Sequence, residues 1–345
     1  MKIFFTAEYN EEELKPLYDM GEVVLDGWAV GLPKIPEEEL AEKVKDADMI
    51  ITSYDDITRK VIEAAPNLKL IACTRATPVN VDMEAAKERG IPVLFTPGRN
   101  SDSTAEMTIG LMLSVARKIP MAYNALKEGT YTGSPDAHKE TKEGLKADVI
   151  WDMKMDAPYM VFKGTQLKGK SLGILGYGSI GKRVGRIARA FGMQLLIFDP
   201  YQGEVDVEEI GIRKVDTVEE LMRESDFITC HMKVTSETSG IISKERIAMM
   251  KPTAYFINAS RGAILDEAAL IDALREKRIA GAAFDVYASE PIASNHPYIT
   301  ELDNVVITPH IAGATDDVLV NHTKQIVSDI MRFQNGEHLL YQYKY

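Results

Sequence analysis

"LGILGYGSIGKRVGRIARAFGMQLLIFDP", residues 172–200, decides the fold. Residues 172–175 are a short apolar run suited to a buried parallel strand. Gly176, Gly178 and Gly181 follow in G-x-G-x-x-G spacing. The first allows a tight turn, the second admits a pyrophosphate close to the backbone, and the third lets a helix pack tightly on the strand. Ile180, Val184, Ile187, Ala188 and Phe191 recur at helical spacing, and Gly192 is placed to end that helix. A second apolar run, 195–198, ends at Asp199, about 20 residues beyond the motif, where a carboxylate accepts hydrogen bonds from an adenosine ribose and repels the extra phosphate of NADP. A glycine motif alone would equally suit a βαβ unit with no ligand. Strand, glycines, amphipathic helix, second strand and acid in register point to a dinucleotide, with NAD favoured over NADP.

This unit starts near the middle of a 345-residue chain, long enough for two domains with separate cores. The net charge of −12 argues against a nucleic-acid partner. Cys73 and Cys230 form neither a disulfide framework nor a metal-spaced pair, and the histidines show no metal spacing, so no metal is expected. Neither a signal peptide nor an apolar run of membrane-span length is visible, which makes a reducing compartment, most simply the cytoplasm, the expectation, with no membrane partner.

Before the quoted stretch, strand-like runs at 3–5, 23–25, 49–52, 70–73 and 93–95 alternate with helical patterns such as 37–44 and 82–89. This is an α/β pattern without a phosphate-binding glycine motif. Ser103 and Glu106 have capping-box spacing ahead of a long apolar helix, with Pro120 read as lying beyond its end. After residue 172, strands are expected at 227–230, 254–257, 282–286 and 305–307, and helices at 218–223, 244–250 and 267–275. A last helix, 316–333, can return to the first domain. The expected architecture is therefore α/β, with two doubly wound parallel-sheet domains. Residues 1–101 plus 315–345 make a flavodoxin-like substrate domain, and 102–314 an inserted Rossmann NAD-binding domain, with a cleft and hinge where the chain crosses twice. Within the inserted domain, 129–165 is the least legible segment. Its apolar and aromatic bulk suggests packing on something, a partner subunit among the candidates.

Ligands of open α/β sheets bind beyond the carboxyl ends of the strands. There the sequence places Arg261 in "NASRG", Asp285 and Glu290 in "DVYASEP", and His310 in "TPHIAGAT". An arginine fork can hold the carboxylate and carbonyl oxygens of a 2-keto acid. His310 can give a proton to the carbonyl oxygen as hydride arrives, and Glu290 can orient the imidazole and favour its charged form. His231, closing the strand at 227–230, reads equally as a wall of the adenine side or as a structural residue. Tyr177, Ser179, Ile180, Thr104, Ala259 and Ser260 complete the candidate cofactor contacts.

The chain resembles the D-isomer-specific 2-hydroxyacid dehydrogenases, a family that includes D-3-phosphoglycerate, glycerate and D-lactate dehydrogenases. The resemblance runs through VNVDMEAAKERGIPVLFTPGRN (79–100), STAEMTIGLML (103–113), LGYGSIG, INASRGAILDEAAL (257–270), AAFDVYASEP (282–291) and NVVITPHIAGAT (304–315). It implies that Arg261, Glu290 and His310 are catalytic, that Asp285 holds the nicotinamide carboxamide, and that the protein is a homodimer built around the second domain. NAD-dependent oxidation of a small D-2-hydroxy acid is the implied activity, with D-3-phosphoglycerate dehydrogenase a narrower version of it. An NAD(H)-sensing, corepressor-like binding protein is the rival reading, opposed by the intact triad. Two departures stand out. In place of the family's glycine-rich turn the chain has RATPVN (75–80), where amides of Ala76 and Thr77 can bind the substrate carboxylate. Arg75 there either meets a second anionic group such as phosphate or pairs with an acid. The segment 129–165 looks extended for the family, with Trp151, Met155 and Tyr159 either reaching a substrate pocket or thickening the dimer contact.

Overall fold

The computed structural model describes residues 1–132, 155–203 and 211–344. It divides into two compact units: Met1–Ser101 with Gly313–Tyr345, and Asp102–Ala312.

The first unit holds five parallel strands, β1 (Lys2–Phe5), β2 (Glu22–Leu25), β3 (Met49–Thr52), β4 (Leu70–Cys73) and β5 (Val93–Leu94), in the order β2-β1-β3-β4-β5. Their side chains alternate between two cores, as the period of a strand requires. Ile3, Phe5, Met49, Ile51, Leu70 and Ala72 face the helices Glu11–Tyr18 and Asp316–Gln334, which contribute Leu14, Leu17, Ile326, Val327 and Ile330. Phe4, Ile50, Ile71 and Cys73 face the opposite layer, with Leu40, Val61, Ile62 and Ala86. Covering both faces is what allows apolar residues at successive positions along these strands. The C-terminal segment also pairs back on β5: Phe95 N–H donates to Tyr341 O at 3.0 Å and Tyr343 N–H to Val93 O at 2.8 Å.

The second unit carries seven parallel strands: β6 (Ser171–Leu175), β7 (Gln194–Phe198), β8 (Ile212–Lys214), β9 (Phe227–Cys230), β10 (Tyr255–Asn258), β11 (Gly281–Phe284) and β12 (Val305–Ile307). Their order is β12-β11-β10-β9-β6-β7-β8. From β6 the chain steps outward through β7 and β8, then returns to β9 on the other side of β6. The carboxyl ends of β6 and β9 therefore flank the switch point where such sheets open a crevice. The helix Ser179–Ala190 buries Gly181, Val184, Gly185 and Ala188. Gly192, at φ 77°, ends it in the left-handed conformation that glycine adopts without strain.

Two local expectations are corrected, and two elements were not foreseen. Phe191 caps the helix and is 41% exposed instead of joining its buried face. The long helix runs Ser101–Ala116, so Ser103 lies inside it and not at its N-cap. Pro120 does lie beyond that helix, and it sits in the first turn of a further helix, Ile119–Lys127, that was not foreseen; its missing N–H costs no intrahelical bond there. β8 was not foreseen at all.

Candidate active site

The glycine turn is built by close approach. A Cβ on Gly181 would lie 2.2 Å from Gly176 O, and one on Gly176, at φ 88°, would lie 2.8 Å from Met232 Cγ and 3.0 Å from the His231 carbonyl. A Cβ on Gly178 would meet nothing within 4 Å, so the backbone there borders open space. Gly178 also stands at the N-cap of Ser179–Ala190 with no side chain to cap it. A helix N-terminus behind a bare glycine backbone suits a pyrophosphate. Asp199, 8% exposed at the end of β7, accepts from Tyr177 N–H at 2.7 Å and Tyr201 N–H at 2.9 Å, holding the turn against its strand.

Two buried polar atoms, Thr104 Oγ1 and His231 Nδ1, have no protein partner. Such atoms are costly unless a ligand or water meets them. His231 Nε2 lies 3.1 Å from Thr229 Oγ1, and burial pulls its imidazole down to about 3, so the ring is neutral. The open face at Gly178 and these two unpaired atoms fit a bound dinucleotide.

Arg261 follows β10 on a turn folded by Asn258, which is fully buried. Asn258 Oδ1 accepts from Ser260 N–H at 3.0 Å and Ser260 Oγ–H at 2.9 Å, while its amide donates to Arg261 O at 3.0 Å. Ala259 is buried beneath this turn, and the Arg261 guanidinium is exposed. The next residue, Gly262, presses against the neighbouring loop: a Cβ there would lie 2.0 Å from Tyr287 O.

That loop presents Glu290. One carboxylate oxygen accepts from Tyr287 N–H at 3.1 Å, and the other lies 2.6 Å from His310 Nδ1. Because an ionised carboxylate only accepts, Nδ1 carries the proton of this bond and Nε2 is left to face outward. Partial burial pushes the Glu290 carboxyl up, but the bonds from His310 and Tyr287 and the charges of His310 and Arg261 outweigh it and hold the group below its ordinary 4.5.

His310 itself has φ 57°, a left-handed backbone that costs about 1–3 kcal/mol in a non-glycine residue and persists only where the surroundings fix it. Asp285, fully buried, supplies the fixing. Its carboxylate accepts from Thr308 Oγ1–H at 2.6 Å, Ile311 N–H at 2.8 Å and Ala312 N–H at 2.7 Å. Tyr287 adds a bond from its hydroxyl to Thr308 O at 2.7 Å. Asp285 thus braces the loop that bears His310, a role separate from the expected one against the carboxamide. Tyr287 went unassigned in the sequence, although "DVYASEP" contains it.

In the first unit, Arg75, Ala76 and Thr77 follow β4, the last two exposed. No carboxylate pairs with Arg75 among the described residues; its guanidinium lies 5.1 Å from the centre of the Tyr54 ring. Met155 and Tyr159 are 81% and 71% exposed, and Trp151 falls outside the described residues. Among the described residues no three His, Cys, Asp or Glu side chains gather as a metal site, and no helix is long and apolar enough to cross a membrane.

The family model for "D-isomer specific 2-hydroxyacid dehydrogenase, NAD binding domain" matches residues 109–312. The chain belongs to the D-isomer-specific 2-hydroxyacid dehydrogenase family. The family is one of NAD-dependent oxidoreductases, and NAD is the cofactor that goes with this domain. D-3-phosphoglycerate dehydrogenase of Methanocaldococcus jannaschii is 40% identical over 338 residues, which cover 98% of this chain and 58% of that protein. The chain thus spans little more than half the length of that relative. Glyoxylate reductase of Thermococcus litoralis is 37% identical over 338 residues, covering 97% of this chain and 94% of the other. Among solved structures, a Thermus thermophilus protein aligns over 100% of both chains at 30% identity and a TM-score of 0.80. For a 2-hydroxyacid dehydrogenase, the strand ends that carry Arg261, Glu290 and His310 share one sheet edge with the glycine turn, since β6 and β10 to β12 all run parallel.

Proposed function

We propose that this 2-hydroxyacid dehydrogenase interconverts a small D-2-hydroxy acid and its 2-keto acid with NAD(H), using His310 as general acid and base. The 2.6 Å contact between Glu290 and His310 Nδ1 carries the reading, because it leaves Nε2 as the atom that exchanges a proton. Bound NADH supplies the hydride. The chain's own part is then to hold and protonate. Arg261 draws the substrate carboxylate and carbonyl oxygen with its fork. His310 Nε2–H donates to the carbonyl oxygen as negative charge develops there, and takes the proton back in the oxidative direction. Glu290 orients the ring and supports the imidazolium. Gly176, Gly178, Gly181 and Asp199 hold the dinucleotide, with Tyr177, Ser179, Ile180, Thr104, His231, Ala259 and Ser260 around it. The names of the two relatives share this chemistry and differ in whether the acid is phosphorylated. The test is loss of NADH absorbance with a panel of 2-keto acids. Turnover of one or more supports the proposal; NADH binding without turnover of any would favour a sensor.

The Glu290 carboxylate gives a pH prediction. Held below 4.5, it keeps its charge down to acid pH and loses its support for His310 only as pH falls through that lowered value. A fall in rate on the acid side therefore reports the loss of the Glu290 charge. Glu290→Gln, which has no carboxylate to lose, should remove the acid limb of kcat/KM against pH. An unmoved limb would mean that Glu290 only positions the ring.

We further infer that the second unit pairs with a copy of itself. On the helix Ile119–Lys127, the side chains of Ile119, Tyr123 and Leu126 stand on one face and are 52%, 60% and 54% exposed. A stripe of that kind is a docking face. Sedimentation should give a dimer, and Tyr123→Glu should shift it toward monomer; a monomeric parent protein would reject the pairing.

A further inference from the structure

The Glu290–His310 pair is backed by a residue that the chemistry proposed above does not use. Tyr287 is 7% exposed, and its ring belongs to the core that Phe284, Tyr298 and Ile264 also fill. A phenylalanine ring would fill that place as well, so the hydroxyl needs its own account. It donates to Thr308 O at 2.7 Å. The same carbonyl accepts from His310 N–H at 3.1 Å. Both lone pairs of Thr308 O are therefore engaged, one by Tyr287 and one by the residue that bears the imidazole.

Asp285 cannot supply the bond that Tyr287 makes. It takes the Thr308 hydroxyl and the N–H groups of Ile311 and Ala312, but a carboxylate only accepts and leaves the carbonyl unheld. His310 needs that support, because its φ of 57° persists only where the surroundings impose it. Burial, with the charges of Asp285, Glu290 and Glu267 nearby, pushes the Tyr287 phenol up to about 12, so its oxygen keeps the proton it donates. The backbone of Tyr287 serves the other partner. Its N–H donates to one Glu290 oxygen at 3.1 Å, and the second oxygen lies 2.6 Å from His310 Nδ1. Tyr287, Glu290, His310 and Thr308 thus close a ring of hydrogen bonds.

We propose that Tyr287 is a positioning residue for proton transfer, its hydroxyl fixing the His310 backbone while its N–H fixes the Glu290 carboxylate. The proton transfer itself rests on the function proposed above; the ring of bonds stands without it. Hydrogen bonds in such a network strengthen one another, so removing one loosens the rest.

Tyr287→Phe removes the hydroxyl and keeps the aromatic ring. Tyr298→Phe is the control, since Tyr298 Oη lies in the same core, buried with no hydrogen-bond partner among the described residues. Partial burial raises the Glu290 carboxyl, but the bonds from His310 and Tyr287 N–H, with the charges of His310 and Arg261, hold it below 4.5. Loosening those bonds should let it titrate closer to 4.5 in Tyr287→Phe, and as in the parent in Tyr298→Phe. Carbon NMR of the full chain reads this midpoint without substrate, and loss of the signal in Glu290→Gln assigns it. An unmoved midpoint in Tyr287→Phe, or an equal shift in Tyr298→Phe, overturns the proposal.

The same variant should lower kcat for keto-acid reduction by about tenfold, since a misplacement of about 1 Å can cost on the order of 10²-fold. KM should change less, and the acid limb of kcat/KM should move to higher pH together with the carboxyl. A parent-like kcat would also overturn the proposal, leaving Tyr287 as a brace of the fold alone. If the parent turns over no keto acid, the reaction proposed above fails, while the carboxyl titration still decides whether Tyr287 holds the pair.

Discussion

Replacing His310 by alanine is expected to lower kcat for keto-acid reduction by about 10²–10⁴-fold, the usual contribution of a positioned general acid, while NADH binding persists. The size follows from the geometry. With Nδ1 bound to Glu290 at 2.6 Å, Nε2 is the proton donor, and no second acid is held on the same loop. Arg261 remains in the variant to polarise the carbonyl, so a residual rate should survive and water should protonate the product slowly. KM should change less than kcat, because the interaction lost is strongest in the transition state. Added imidazole should restore part of the rate. A variant that keeps kcat within about tenfold of the parent would remove His310 from the proton-transfer role.

Gly262→Ala should be nearly as damaging for a different reason. The new methyl would lie 2.0 Å from Tyr287 O and 2.1 Å from Tyr287 C, both backbone atoms with little freedom to yield. Forcing the contact open is overpacking, typically about 1–3 kcal/mol of lost stability. It would also push the turn that bears Arg261 away from the loop that bears Glu290. A misplacement of about 1 Å at such a site can cost on the order of 10²-fold in kcat/KM. The glycine turn that follows β6 is built from other residues, so NADH affinity should outlast activity. A protein with a lowered melting temperature but full kcat/KM would show that the two loops keep their relation without this contact.

Much of the fold was legible because buried parallel strands are continuous apolar runs. The runs at 49–52, 70–73, 227–230 and 305–307 match their strands residue for residue. β8 was not legible because "IRK" offers one apolar residue on an edge, where burial imposes no pattern. The helix Ile119–Lys127 was hidden by Pro120, read as a stop although proline is tolerated in a first turn. Arg261, Glu290 and His310 could be picked out because each follows a strand, and the topology rule brings strand ends to one edge. The support beneath them was harder to see. Asp285 holding the 308–312 loop, or Gly262 against Tyr287, depends on distances between loops that no spacing encodes.

The first unit is discontinuous, and this bears on how the chain is made. One face of its sheet is covered partly by Ile326, Val327 and Ile330, which are synthesised after the whole second unit. Roughly 210 residues intervene, which at 5–20 residues per second is a delay of about 10–40 s. During that interval Ile3, Phe5, Ile51 and Leu70 lack part of their cover, while the second unit has all of its strands and can close first. The emerging polypeptide therefore passes through a stage in which one half is native and the other is a sticky, unfinished sheet, the kind of species that chaperones shield.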